Sequence, residues 1–549
     1  VRAGDTNAFF GLMLDNIGDL ILMASLLTGV FQFPADFVLR NMIPGTAIGV
    51  LVGDFIYTVM ALRLARRSGR DDVTAMPLGL DTPSTFGMVF LVLGPSFTQA
   101  RERGLDVETA ATHAWYLGMS LILASGLFKL ACSWGSGWIR RAFPRAGLLG
   151  SLVAIALVLI SFLPLLDIAS EPIAGMVALI VILACLTARW RLPWGIPGAV
   201  GAVLAGAFAL LLANAVHWGL GRLGVSGLAL HWSSGELPDA GVRISLPWPL
   251  VPWWSWLVAN GREVVNYLPV ALPLALATVV GGIDCAESAA AAGDDYPTGP
   301  IIAAEGFATI VGGLFGGVIQ STPYIGHPAY KAMGARAGYT LATALFIGGA
   351  GLLGYFSWIF YLLPKEVVFP ILVFVGVEIT AQSFAAIPRR QYPAMAFACI
   401  PALAYLAFLQ VDRLLGTTGL SPSQLEPEIA HWLQTLVVLS GGFIVTSLIW
   451  GTILARVIDG HMRAAAAVCS LASLLSLFGI MHSPLRSSPV LWPWVVIERL
   501  QSEGSLSMTG SMTPYHWAAA YAMVAVVLGL LARFGAPPTA IDELTPPAV

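Results

Sequence analysis

Apolar residues run through this chain in long stretches, broken by short polar or Pro/Gly-rich segments. Helical runs are read at 9–29, 42–65, 83–94, 113–133, 147–166, 170–187 and 194–216. A second series follows at 265–291, 302–318, 328–340, 341–363, 367–386, 393–410 and 431–456, and two more runs lie at 464–482 and 515–534. About 20 apolar residues cross a bilayer as a helix. The pattern therefore predicts seven spans, seven more, and two extra C-terminal spans. The runs at 83–94 and 328–340 are too short to cross alone. Each follows an extended Pro/Gly stretch, TAMPLGLDTP (74–83) and QSTPYIGHP (320–328), so each is expected to be a discontinuous half-helix.

Composition agrees with this pattern. Hydrophobic residues make up 57% of the 549 and charged residues 11%, with a mean hydropathy of +0.80. Soluble proteins carry about 25% charged residues, so a soluble enzyme, a disordered chain and a secreted disulfide scaffold are excluded. The net charge of −3 implies no basic surface for nucleic acid. Cys132, Cys185, Cys285, Cys399 and Cys469 are widely spaced in apolar runs, without CxxC or Cys/His metal spacing, and are expected to be small buried residues. No metal site and no cofactor are expected. Position 1 is Val, so the native start is expected to be missing. Asp15 and Asp19 exclude a signal-peptide reading of the first run.

With a cytoplasmic N-terminus, 18 of the 28 Lys and Arg fall in inner loops. This is the positive-inside pattern, and it places both termini in the cytoplasm of a multi-pass inner-membrane protein. The count assigns Lys129 to the inner side, close enough to a helix end to snorkel. The longest outer segment, about 217–264, contains the Trp- and Pro-rich SLPWPLVPWWSW (245–256). It is read as an interfacial belt, with a substrate lid as the alternative. The tail 535–549 is expected to be disordered.

The two series match in order. LDNIGDL (14–20) corresponds to IDCAES (283–288), and GTAIGVLVGD (45–54) to GFATIVGGLFG (306–316). Pro77–Asp81 corresponds to Pro323–His327. Seven is odd, so the second copy enters the membrane from the opposite side. In transporters an inverted repeat with broken helices points to a midplane site at the repeat interface.

Acids within spans are costly and mark function by default. Asp15 and Asp19 share one helix face, with Asn16 beside them, and Asp284, Glu287 and Ser288 share another. Asp54, Asp81, Glu305 and Glu378 complete the set; for Asp54 and Glu378 a hydrogen bond to a neighbouring helix is the preferred reading. Such acids hold a proton or, with backbone carbonyls, Na⁺. Gly79 lies in the first broken segment. His327 beside Gly326 reads equally as a substrate contact or a structural histidine, and Tyr324 as a stacking surface or an interior filler.

At these residues the chain resembles the nucleobase–ascorbate transporter family, which includes bacterial uracil, xanthine and adenine/guanine permeases. The resemblance covers nearly all of 7–456. It is most specific over 278–386, from TVVGGIDCAESAAAAGDD through STPYIGHPAY to FPILVFVGVEITAQSF. The D-x-x-[DE]-[ST] spacing at Asp284, Glu287 and Ser288 is similar to the eighth-helix motif of the adenine/guanine branch. The resemblance implies that Glu287 binds the base and takes part in proton coupling. The family's Thr-Tyr element falls on Thr322 and Tyr324, and its first-helix Gln-His pair on Asp15-Asn16. The family's second acid in the tenth segment is replaced here by Gly326 and His327. The eighth-helix histidine of the uracil branch falls on Ala291.

What the resemblance implies is an all-α polytopic protein of 7+7 inverted-repeat fold. Its core would be helices 1–4 (7–133) and 8–11 (265–363), and its gate helices 5–7 (147–216) and 12–14 (367–456), followed by the two additional spans (464–534). Dimerisation through the gate is implied as well. The expected function is secondary active transport, coupled to H⁺ or Na⁺, of a nucleobase-like planar solute by elevator-type alternating access. Substrate contacts are expected from Glu287, Tyr324, Gly326, His327, Asp81 and Gly79. The coupling cation is expected at Glu287, Asp284, Asp15, Asp19 and Asn16. Sulfate and bicarbonate transporters share the fold, so a small anion or other organic solute is the alternative. A channel is a further alternative. An intramembrane enzyme is disfavoured because HExxH, GxSxG and P-loop patterns are absent. The expected partners are a small molecule and the lipid bilayer.

Overall fold

A computed structural model describes the chain except residues 1–2, 136–143, 194–195, 197, 223–244, 246–247, 325, 363–364, 419–423, 486–490, 503–512 and 536–549. The expected tail and much of the outer connection thus lie outside the described residues. The first part of the chain forms α1 (Ala3–Gly29), α2 (Ile43–Ser68), β1 (Leu78–Leu80), α3 (Thr82–Met88), α4 (Gly94–Glu102) and α5 (Val107–Trp134). Then come α6 (Arg145–Ile155), α7 (Phe162–Ser170), α8 (Pro172–Ile182) and α9 (Gly198–Arg222). The second series is α10 (Leu250–Ala291), α11 (Thr298–Leu314), β2 (Ser321–Pro323), α12 (His327–Ala332), α13 (Gly338–Leu352), α14 (Phe356–Leu362) and α15 (Lys365–Ala385). It continues with α16 (Tyr392–Ala398), α17 (Ile400–Thr418), α18 (Pro427–Ser440) and α19 (Phe443–Ile458). The chain closes with α20 (Met462–Leu477), α21 (Pro493–Ser502) and α22 (Thr513–Phe534).

Among the described residues, eight helices are long and apolar enough to cross a membrane, or nine if α18 and α19, bent by 70°, form one broken span. Shorter apolar helices fill other expected positions, including 298–314, 338–352 and 462–477. The structure is thus the expected all-α polytopic type.

Two compact units are present. One holds Val1–Arg140 and Ala156–Thr380, and the other holds Arg141–Ile155 and Ala381–Val549.

The first unit contains the repeat. Exchange α1 with α10, α2 with α11, β1 with β2, α3 with α12 and α5 with α13, and the packing maps onto itself. Helix α2 packs on α13 as α11 packs on α5, and α1 on α13 as α10 on α5. Helix α1 carries β1 as α10 carries β2, and each copy's broken helix touches the other copy's first helix. The two self-related contacts, α2 with α11 and β1 with β2, lie where a two-fold axis must pass. The strands pair antiparallel, so the broken segments run in opposite directions, as an inverted repeat requires. Close helix approach explains the small residues. A Cβ on Gly49 would stand 3.3 Å from the Ala308 carbonyl oxygen and 3.5 Å from Gly312 Cα, which is how small residues bring membrane helices together.

Two expectations about the elements change. The eighth helix begins at Leu250, not 265, so the tryptophans of 250–256 are helical. Trp253 and Trp256 donate from Nε1 to Ser120 Oγ and His113 Nδ1 of α5, each at 3.0 Å. Trp248 and Trp254 are exposed. The helix kinks at Asn260, whose backbone leaves the helical region. The second difference concerns the tenth segment. Its helix, α12, has only six residues. It stops because Gly334 takes φ +81° and Ala335 N–H turns back to the Tyr330 carbonyl, a glycine-terminated helix end.

In the second unit, α20 and α22 pack tightly on each other and α19 packs on α6, α16 and α20. The break between α18 and α19 is made by Gly442 at φ +68°. The 480–483 segment fills this break: His482 N–H donates to the Gly441 carbonyl at 2.9 Å. The His482 ring stacks on Trp517 at 3.7 Å between centroids.

Candidate functional site

The site is built around β1 and β2, which set Leu78 opposite Pro323, Gly79 opposite Thr322 and Leu80 opposite Ser321. A two-stranded sheet has two free edges, and at membrane depth every backbone group needs a partner inside the protein. Side chains supply them. On the β1 edge, Leu78 N–H donates to Asp54 Oδ1 and Leu80 N–H to Asn16 Oδ1, both at 3.1 Å. On the β2 edge, the Ser321 carbonyl accepts from Lys129 Nζ at 2.9 Å. Ser321 N–H donates to Thr309 Oγ1 at 3.3 Å, and the Pro323 carbonyl accepts from Cys285 Sγ at 3.5 Å.

Asp81 follows β1 and caps α3, its Oδ2 accepting from Ser84 N–H at 2.9 Å, a standard N-cap arrangement. Its own N–H donates to the Gln320 carbonyl at 3.1 Å. The next residue, Thr82, donates from Oγ1 to Asp19 Oδ2 at 3.0 Å. A Cβ on Gly79 would lie 3.6 Å from Asp15 Oδ2 and 3.8 Å from Asn16 Oδ1. The structure thus brings Asp15, Asn16, Asp19, Gly79 and Asp81 together. Asn16, Asp19, Asp54 and Asp81 are buried, and Asp15 is half-buried. Asp19 Oδ1 and Asp54 Oδ2 accept no hydrogen bond among the described residues.

From the second copy, Asp284 and Glu287 share one half-buried face of α10, the helix that packs on β2, α12 and α3. Tyr324 is half-buried, and its N–H donates to the Pro77 carbonyl at 2.9 Å. Gly326 lies against its ring: a Cβ there would stand 2.8 Å from Tyr324 Cδ1 and Cε1.

His327 belongs to a second polar cluster. Its Nε2 lies 3.1 Å from the Thr74 carbonyl oxygen and 3.3 Å from Asp294 Oδ2. Asp294, fully buried, also takes Lys331 Nζ at 2.6 Å and Thr74 N–H at 3.0 Å, with Arg70 Nη2 at 3.3 Å. Lys331 Nζ and Arg336 Nη1 donate to the Asp72 carbonyl, each at 3.2 Å. Tyr296 and Tyr339 donate from their hydroxyls to the carbonyls of Thr74 and Ala75, both at 2.7 Å. This cluster fixes the extended lead-in to β1. Arg70 hydrogen-bonds the Asp72 carboxyl and pulls it down to about 2.

The Lys129 expectation is corrected. Lys129 does not snorkel: it is fully buried, its Nζ 2.6 Å from Glu305 Oε1, itself fully buried. The reason is its helix face. Gly126, one turn earlier, crosses Gly306 of α11 so closely that a Cβ would stand 2.9 Å from the Gly306 carbonyl oxygen. A residue three later points the same way, toward α11 and β2. That spacing was the available sequence signal. Asp294 carried none, because it reads as a polar loop residue until the fold brings Thr74 and Lys331 to it.

No family model and no curated protein matches the chain. Among solved structures, it is similar to the transmembrane domain of a cyanobacterium bicarbonate transporter, BicA. The identity is 13%, over 73% of this chain and 96% of that one, with a TM-score of 0.48. It is also similar to SLC26A9, at 12% identity over 84% and 65% of the two chains and a TM-score of 0.47. A third similar structure is the murine Slc26a9 anion transporter in the inward-facing state, at 14% identity over 76% and 69% and a TM-score of 0.45.

Proposed function

We propose that this protein is a cation-coupled secondary transporter that moves a small solute by alternating access. The observation that carries this reading is the charge balance around β1 and β2. Asp19, Asp54, Asp81 and Glu305 are buried beside β1 and β2, with Asp15 next to Gly79, and the ammonium buried among them is Lys129, held against Glu305. Desolvation makes several ionised carboxylates in one interior site untenable unless protons or metal cations join them. The site therefore takes up H⁺ or Na⁺, with Asp15, Asn16, Asp19, Asp284 and Glu287 as its ligands. The residues flanking β1 and β2 (Gly79, Asp81, Tyr324, Gly326) line the solute position, and the 7–133 and 265–363 segments form the core that carries it.

The solute we put first is a small anion, the class that two of the similar proteins are described as carrying. Its charge is then balanced by the coupling cation at the acids. A nucleobase-like planar solute is the second reading, favoured by half-buried Glu287, an acceptor for ring N–H groups, and by the Tyr324 ring. Uptake into proteoliposomes tests both, with bicarbonate, sulfate, carboxylates and nucleobases under imposed H⁺ or Na⁺ gradients. Cation-driven accumulation of one class is expected. Equal uptake with and without a gradient overturns the coupling, and Glu287→Gln with unaltered coupled uptake removes Glu287 from it.

A further inference from the structure

Lys129 is the buried ammonium beside those acids, and the coupling argued above does not use what else it holds. Its ammonium holds the Ser321 carbonyl at 2.9 Å and the Glu305 carboxylate at 2.6 Å, and neither side chain is exposed. Two glycines make room for the pair. A Cβ on Gly306 would stand 3.1 Å from Lys129 Cβ, and one on Gly282 would stand 3.0 Å from Glu305 Oε2 and 3.6 Å from Pro323 Cγ. Thr309, one turn after Glu305, donates from Oγ1 to the Glu305 carbonyl at 2.9 Å and accepts from Ser321 N–H. Both backbone groups of Ser321 are therefore held by side chains. Ser321 pairs with Leu80 and Thr322 with Gly79, so the position of this one carbonyl is transmitted across both strands.

The repeat sharpens the point. The β1 edge is held through its N–H groups by the acceptors Asn16 and Asp54. The β2 edge is held through carbonyls as well as the Ser321 N–H, and the carbonyls need donors, Lys129 at Ser321 and Cys285 at Pro323. Helix α13, the counterpart of α5, has no Lys or Arg along its length. The lysine is an addition specific to the first copy, and it serves the strand of the second.

We propose that Lys129, fixed by Glu305, is a positioning residue for the transport site: it holds the β2 backbone at the place where solute and cation bind. The proposal rests on the transport reading above. A lone buried charge left after removing one partner is strongly destabilising, so Lys129→Met alone does not separate misfolding from lost positioning. The test variant is therefore Lys129→Met with Glu305→Gln, which removes both charges at similar volume.

The full chain in lipid nanodiscs is followed by hydrogen exchange, and in proteoliposomes by uptake of whichever solute the wild type accumulates. Expected for the double variant is a cooperative melt like the wild type, exchange at Ser321 and Thr322 about tenfold faster, and a KM raised at least tenfold. The maximal rate should stay within about twofold, because the positioning acts on binding. Unchanged exchange overturns the proposal. So does faster exchange with an unchanged KM, which makes Lys129 a purely structural residue. Should the wild type show no coupled uptake, the transport reading falls by itself. Positioning for transport falls with it, and the exchange arm still decides whether Lys129 holds the strand.

Discussion

Asn16→Ala isolates the β1 edge. Asn16 is fully buried, and its Oδ1 is the acceptor for Leu80 N–H at 3.1 Å. Its Nδ2 donates to the Leu12 carbonyl one turn back, a carbonyl that helix α1 already engages, so that loss matters less. The substitution leaves the Leu80 N–H without an acceptor in a water-poor interior. A buried donor stripped of its partner costs about 1–3 kcal/mol. At 1.4 kcal/mol per factor of ten, that corresponds to a roughly 5- to 150-fold rise in opening at Leu80. The neighbouring contact provides the control. Asp54 holds Leu78 N–H through Oδ1 alone, and Asp54→Asn keeps a carbonyl oxygen at that position. Hydrogen exchange at Leu78 and Leu80, measured on the full chain in nanodiscs, reads both sites. Asn16→Ala is expected to speed Leu80 exchange within that range, with Asp54→Asn within about threefold of wild type at Leu78. If Asn16→Ala leaves Leu80 exchange unaltered, the strand is not held by its side-chain edges and the reading of the site fails.

Two further predictions follow from other parts of the molecule. Asp72 is held down to about 2 by the Arg70 hydrogen bond, below its ordinary value near 4. The ionised form is favoured by folding, so this contribution is fully present above about pH 4 and is lost as pH falls through about 2; the melting difference between wild type and Asp72→Asn should shrink across that window, and a constant difference would rule the pair out as its source. In the second unit, Gly442 sits at φ +68°, and a Cβ there would stand 2.0 Å from the Ile480 carbonyl oxygen. Left-handed backbone costs a non-glycine residue about 1–2 kcal/mol, and the contact adds to it, so Gly442→Ala should lower the melting temperature by several degrees; an unchanged melt would mean that the 480–483 segment does not brace the break.

Much of the architecture was legible because the bilayer writes it into composition. The helical runs, the two Pro/Gly breaks and the acids at helical spacing follow from lengths and periods alone, and the internal repeat followed from their order. Other features were hidden because they depend on which helices meet. Lys129 reads as a snorkelling residue near a helix end until the Gly126–Gly306 crossing turns its face inward. His327, read as an even choice between substrate contact and structural residue, lies in the Asp294 cluster. Asp294 becomes buried only when α12 and the lead-in to β1 close over it. Pro249 and the tryptophans after it read as a loop, yet they begin a helix because Trp253 and Trp256 find hydrogen-bond acceptors on α5.

The unequal treatment of the two carboxylate oxygens ties the site to its proposed work. Asp54 gives Oδ1 to the Leu78 N–H and Asp19 gives Oδ2 to Thr82, and among the described residues Asp54 Oδ2 and Asp19 Oδ1 have no hydrogen bond. One oxygen of each is committed to the first broken segment, and the other is open to a proton or a cation. A carbonyl oxygen still accepts after its partner oxygen is protonated, so the strand stays held in either charge state. In the proposed mechanism, uptake of a cation therefore alters the charge beside Gly79 and Asp81 without releasing β1. Lys129 gives β2 the same independence from the other side: its bond to Ser321 requires no titrating acceptor, because a backbone carbonyl never changes charge. The two strands then stay paired while the acids around them load and unload. A carrier needs this combination, with a variable charge state on a constant backbone.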